Sequence, residues 1–121
     1  GYTKTLLGRR REVPLLKSPL PFLRAQGERI ALNAPIQGTS ADILKLAMID
    51  AHDYIVKNNL SDQVKLALQI HDELVFEIDE KVAKKVADDM VVVLENVLRK
   101  RKLSDIPLAV SKTLGANLQA I

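Results

Sequence analysis

Apolar and polar residues alternate along Val64-Lys65-Leu66-Ala67-Leu68-Gln69-Ile70 and again around Leu74-Val75-Phe76-Glu77-Ile78. A period of about two is the signature of a half-buried strand. The two runs flank His71-Asp72-Glu73, so the pattern predicts a strand-turn-strand ribbon over about 64–78. Val64, Leu66, Leu68 and Ile70 are expected on one face and Lys65, Ala67 and Gln69 on the other; on the second strand Leu74, Phe76 and Ile78 form the apolar face. Upstream, a helical pattern begins at Phe22 and runs to about Ala34. Pro35 removes a backbone donor and Gly38 adds freedom, which predicts a kink or break near 35–38, with Thr39 or Ser40 capping a restarted helix. Ile43, Leu44, Ala47, Ala51, Tyr54 and Ile55 keep the helical period until Asn58-Asn59.

Beyond the ribbon, Asp79 is a candidate N-cap for a helix whose buried stripe comprises Val82, Val86, Ala87, Met90, Val93, Leu94, Val97 and Leu98. Residues 107–113 read as a last strand with Pro107 at its first position, a place sheets tolerate. At the other end, residues 1–22 are punctuated by Gly8, Pro14, Pro19 and Pro21, and allow only a short hairpin around Gly8-Arg9-Arg10. The expected class is α+β: a small antiparallel sheet, made of the central hairpin and the C-terminal strand, packed against two to three helices.

Composition narrows the picture. A chain of 121 residues, 47% hydrophobic, suits one globular domain. The absence of cysteine excludes disulfides and thiolate metal sites, and is compatible with a reducing compartment. No apolar run approaches the roughly 20 residues that span a bilayer. The start, Gly1-Tyr2-Thr3-Lys4, has neither a signal-peptide core nor an initiator Met, so the expectation is a piece of a longer, non-secreted protein. The net charge of +3 is unevenly placed: up to Arg29 seven basic residues face only Glu12 and Glu28, and the remainder is net negative. A basic front end suits a polyanion, although a solvated basic loop reads equally well from charge alone. Arg99-Lys100-Arg101-Lys102 is similarly either a phosphate patch or a set of cations compensating a helix dipole.

Three clusters carry candidate chemistry. Asp72 and Glu73 sit at the expected hairpin tip, where adjacent carboxylates can help hold a divalent metal, but one such pair does not complete a Mg²⁺ site. His71 beside them could donate to a phosphate or sugar oxygen, or simply pack. Without other histidines or any cysteine nearby, zinc is disfavoured, and His52 reads as structural. Arg29, Asn33 and Gln37 fall at i, i+4 and i+8, one stripe of a continuous helix. Such side chains can reach the minor-groove acceptors, purine N3 and pyrimidine O2, that every base pair offers, or the row is an ordinary solvated helix face. Gly8-Arg9-Arg10-Arg11 is no phosphate-cradling glycine loop, and reads as a backbone contact or as solvation.

Taken in order, Gly1-Tyr2-Thr3-Lys4-Thr5-Leu6-Leu7-Gly8-Arg9-Arg10-Arg11, the run from Glu28 to Ile43, and Gln69-Ile70-His71-Asp72-Glu73-Leu74-Val75-Phe76-Glu77 resemble the C-terminal part of a family A (Pol I type) DNA polymerase. The last run resembles that family's motif C. The resemblance implies a fragment of an enzyme that adds deoxynucleotides to a primer 3′ end by two-metal-ion phosphoryl transfer with Mg²⁺, in replication or repair. Asp72 and Glu73 would be its catalytic carboxylates, with Asp72 the metal ligand. His71 would approach the primer terminus. Arg29, Asn33 and Gln37 would line the minor groove of the nascent duplex. Residues 1–22 would end the fingers and residues 23–121 would form the C-terminal part of the palm. Primer-template DNA, a dNTP and the remainder of the polymerase chain would be its partners, with no membrane, in a bacterial cytoplasm or an organelle.

The departures from the family pattern shape the expectation. Motif A, which carries the other metal-binding Asp, and the nucleotide-binding fingers helix are not in this sequence, so the 121-residue piece is expected to be inactive alone. Where the family has a Gly-Glu-Asn-Trp-like stretch, this chain reads Gly115-Ala116-Asn117-Leu118. The alternative reading is a non-enzymatic α+β module that binds nucleic acid or a protein partner. A pure binding module gains little from acids placed beside phosphates, which distinguishes the two.

Overall fold

The computed structural model describes residues 1–105 and 108–117. The class is α+β, as the hydrophobic pattern predicts: among the described residues there are two small antiparallel sheets and three α-helices. In chain order these are β1 (Tyr2–Lys4), β2 (Arg10–Glu12), a 3₁₀ turn (Pro14–Lys17), α1 (Pro21–Lys57), β3 (Val64–Ile70), β4 (Glu73–Ile78), α2 (Ala83–Glu95) and α3 (Val97–Lys100). The chain divides into two compact units, Gly1–Lys45 and Leu46–Ile121. Among the described residues no helix is long and apolar enough to cross a membrane.

In the first unit, β1 and β2 pair antiparallel through Tyr2↔Glu12, Thr3↔Arg11 and Lys4↔Arg10. Gly8, at φ +88, makes the reversal. Pro14 then starts the 3₁₀ turn, whose backbone passes so close to α1 that a Cβ on Gly27 would lie 2.9 Å from Leu16 N. Val13 and Ala34 are the unit's buried apolar residues.

Helix α1 runs unbroken through Pro35, contrary to the expected break and restart at 35–38. Pro35 lacks the N–H that would bond the Ala31 carbonyl, at a cost of about 3 kcal/mol in an isolated helix. The turn after it is held from outside. Thr39 Oγ1, instead of capping, accepts the Leu6 N–H at 2.9 Å, and the Gly38 carbonyl accepts Arg9 Nη2 at 3.3 Å. Tertiary contacts thus outweigh the local signal.

The second unit is built on a core of Ala51, Ile55, Val64, Val86 and Met90, with Tyr54, Leu60, Phe76, Ile78, Val82 and Leu94 packed against it. Strands β3 and β4 pair from Val64↔Ile78 to Ile70↔Glu73, with a bulge between Leu66 and Leu68. The extra residue, Ala67, inverts the alternation. Val64 is buried and Leu66 half-buried, but Leu68 and Ile70 are exposed, not on the inner face.

Two other expectations fail for local reasons. Asp79 does not cap α2; its carboxylate accepts the Lys81 N–H at 3.0 Å and shapes a turn that ends before Ala83. The expected C-terminal strand is not seen: residues 108–113 take no strand conformation and pair with neither β3 nor β4. It is tied to α2 through side chains instead. The Val110 N–H donates to Glu95 Oε1 at 3.3 Å, and Lys112 pairs with Asp88. Pro107 and Leu118 lie outside the described residues.

Candidate nucleic-acid interface and carboxylate hairpin

The ribbon places His71, Asp72 and Glu73 together at its tip. Ile70 pairs with Glu73, which leaves a two-residue turn of His71 and Asp72. His71 adopts φ +52, the left-handed region where His, Asn and Asp are the non-glycine residues most often found. A positive φ at the first turn position matches the right-handed twist of the flanking strands. Gln69 Nε2 donates to the His71 carbonyl at 2.8 Å and holds the turn from the side. Asp72 therefore sits on a turn and not on a strand, so the opposite-face rule for neighbours does not separate it from Glu73. All three tip residues are exposed.

Among the described residues no three His, Asp or Glu side chains gather into a metal site. Mg²⁺ needs near-octahedral oxygen coordination. Two adjacent exposed carboxylates fall short of that set among the described residues.

The first unit carries the other predicted set. Arg29, Asn33 and Gln37 lie on one stripe of α1, all exposed, and none forms a side-chain hydrogen bond or ion pair among the described residues. Leu32 and Ile36, each 73% exposed, interleave with them on the same face. The stripe is thus amide, guanidinium and aliphatic together, with its donors uncommitted. It belongs to a different compact unit from the Asp72 tip.

The three consecutive arginines Arg9, Arg10 and Arg11 are not equivalent, which no local pattern announces. Arg9 Nε donates to Asp42 Oδ1 at 2.8 Å. The Thr5 hydroxyl, and after it the Arg9 guanidinium, hold the Asp42 carboxyl below the usual carboxylate range against the opposing push of burial. Asp42 Oδ2 is buried and accepts no hydrogen bond among the described residues. Arg10 stacks 3.7 Å from the Tyr2 ring centroid and bonds Glu12 at 3.2 Å. Arg11 has no partner among the described residues. It lines a cleft of about 90 Å³ with Thr3, Lys4, Arg9, Gln37 and Gly38. Asp42 lies 33 positions from Arg9, so sequence alone could not pair them.

Two of the four cations at 99–102 are held by a carboxylate. Arg101 and Lys100 both engage Asp50, at 2.7 and 3.5 Å, and Arg101 Nη1 also bonds the Val97 carbonyl.

DNA polymerase family A matches residues 1–120. DNA polymerase I of Rhizobium leguminosarum is 39% identical over 117 residues, covering 97% of this chain and 12% of that protein. DNA polymerase I of Deinococcus radiodurans is 42% identical over 119 residues, covering 97% of this chain and 11% of that protein. The POL domain of Pol1 from M. smegmatis, solved in complex with DNA primer-template and dNTP, superposes with a TM-score of 0.82 at 42% identity, over 92% of this chain and 18% of that one. The chain belongs to DNA polymerase family A. It spans about 12% of the length of the first of these curated relatives.

Proposed function

We propose that this chain is the C-terminal fingers and palm portion of a DNA-directed DNA polymerase, residues 1–22 closing the fingers and residues 23–121 forming palm. The observation that carries this reading is Asp72, exposed on a turn locked by Gln69, in a chain matched by the family over residues 1–120. In the complete enzyme Asp72 would contribute to a Mg²⁺ ligand set that residues outside this chain complete, with Glu73 as its acidic neighbour. The bound ion would polarise phosphate oxygens.

The chain's own residues supply binding and orientation. Arg29, Asn33 and Gln37 donate to minor-groove acceptors that every base pair presents, so they follow a primer-template duplex without reading its sequence. Leu32 and Ile36 bring apolar surface against the sugar edges of the groove. Lys4 and Arg11 meet the phosphate backbone. His71, fixed by the turn, is placed to donate to an oxygen at the primer end.

The test is primer extension with Mg²⁺ and all four dNTPs. The full-length polymerase carrying this segment extends the primer, and the 121-residue chain alone does not. Turnover by the isolated chain, or none by the full-length protein, contradicts the reading. Duplex affinity of the full-length protein should also fall steeply with salt and vary little with sequence.

A further inference from the structure

Arg9 is built differently from its two neighbours. Its guanidinium is committed in two directions, to Asp42 Oδ1 at 2.8 Å and to the Gly38 carbonyl at 3.3 Å. The Thr5–Arg9 turn it belongs to is closed by Thr5 N–H to the Arg9 carbonyl at 3.0 Å and Arg9 N–H to Thr5 Oγ1 at 3.2 Å. A third tie, Leu6 N–H to Thr39 Oγ1 at 2.9 Å, fixes the same turn to α1. We propose that Arg9 is a positioning residue: with Asp42 it latches the β1–β2 hairpin onto α1 beside Gln37, so that Lys4 and Arg11 meet a nucleic-acid phosphate at a fixed place, while Arg9 itself contacts none. This rests on the reading of the chain as duplex-binding.

Three observations support the division of labour. First, strands of three residues each do not hold a hairpin in place unaided, so the ties to α1 decide where it sits. Second, Asp42 is 8% exposed, and an arginine paired with a buried carboxylate makes a unit of no net charge that attracts a phosphate weakly. Third, the approach needs a bare helix turn: a Cβ on Gly38 would lie 2.7 Å from Thr5 Cγ2 and 3.3 Å from Arg9 Nη2. Gly38 follows Gln37 directly, so the latch closes one residue from the last donor of the exposed row. Arg11 makes no side-chain contact among the described residues, and Lys4 meets only the Tyr2 ring, its Nζ 5.7 Å from the centroid, so neither charge is neutralised by a carboxylate.

The experiment uses the full-length polymerase carrying this segment and a fluorescent primer-template duplex, titrated across a KCl series. Asp42→Asn removes a negative charge near DNA, which on charge alone strengthens binding. The latch predicts the reverse, a loss of roughly tenfold, the scale of one charge-assisted hydrogen bond. Arg9→Gln should cost a similar factor, the double variant no more than either single one, and the salt slope should not change. Lys4→Ala and Arg11→Ala should each lower the slope by about 0.9. In the DNA-free protein, amide exchange over the peptide containing Thr5 and Leu6 should accelerate in Arg9→Gln and Asp42→Asn, but not in Lys4→Ala or Arg11→Ala. Unchanged exchange in Arg9→Gln, a slope reduced by that variant, or affinity preserved in Asp42→Asn would overturn the proposal. If the wild-type protein binds no duplex, the functional reading fails, while the exchange measurement still reports on the latch.

Discussion

Arg101 grips Asp50 with both arms of its guanidinium, Nη1 to Oδ2 and Nη2 to Oδ1, each at 2.7 Å. Asp50 is 4% exposed, so within the second unit this pair ties α1 to the turn that follows α3. Removing Asp50 leaves the part-buried Arg101 guanidinium, 25% exposed, without its carboxylate. Asp50→Ala is therefore expected to destabilise the fold by about 2–4 kcal/mol, read from urea unfolding. The Arg101 hydrogen bond, against the opposing effect of burial, holds the Asp50 carboxyl below its usual 3.8. The contribution is thus full above pH 3.8 and lost as pH falls through the lower folded value. Wild-type and Asp50→Asn stabilities should converge in acid.

Tyr54 donates its hydroxyl to Asp89 Oδ2 at 2.7 Å. Burial first, then the Asp89 carboxylate, push the phenol up from 10.0 to about 12. Folded Tyr54 binds its proton more tightly than unfolded Tyr54. Its contribution to stability is complete below pH 10.0 and disappears as pH rises through about 12. Ultraviolet titration of a Tyr2→Phe variant, which isolates Tyr54, should show ionisation near pH 12, and Asp89→Asn should bring it only part of the way back, since burial remains.

Gly27 offers a case where helix propensity gives the wrong sign. Alanine is favoured over glycine by about 1 kcal/mol within a helix. Here the added Cβ would meet backbone, Leu16 N at 2.9 Å and Leu15 C at 3.0 Å, which cannot rotate away. Gly27→Ala should therefore destabilise by about 1–2 kcal/mol in thermal unfolding. A more stable variant would show that the 3₁₀ turn does not press on α1.

These effects mark where the sequence was legible. The ribbon, the long helical period and the amphipathic stripe around Val86 and Met90 are local repeats and form, but the single helix expected to carry that stripe on through Val97 and Leu98 breaks at Asn96 into α2 and α3. The tip residues His71, Asp72 and Glu73 were legible because the turn is two residues between alternating runs. The bulge was not, because Ala67 is small enough for either face, and its consequence, Leu68 and Ile70 outward, cannot be read without the register. Continuity through Pro35 depends on donors from Leu6 and Arg9, about 30 residues away in sequence, and such contacts leave no periodic trace. The same holds for Arg9 with Asp42 and for Arg101 with Asp50.

Asp72 carries the central claim, and single-turnover primer extension by the full-length polymerase tests it most directly. The side chain is exposed and makes no hydrogen bond among the described residues, so Asp72→Ala should leave the fold and the duplex affinity in place. Extension should fall by on the order of a hundredfold or more, as expected when a group acting on the transferring phosphate is removed. An Asp72→Ala enzyme that extends primers within about twofold of wild type would contradict the account.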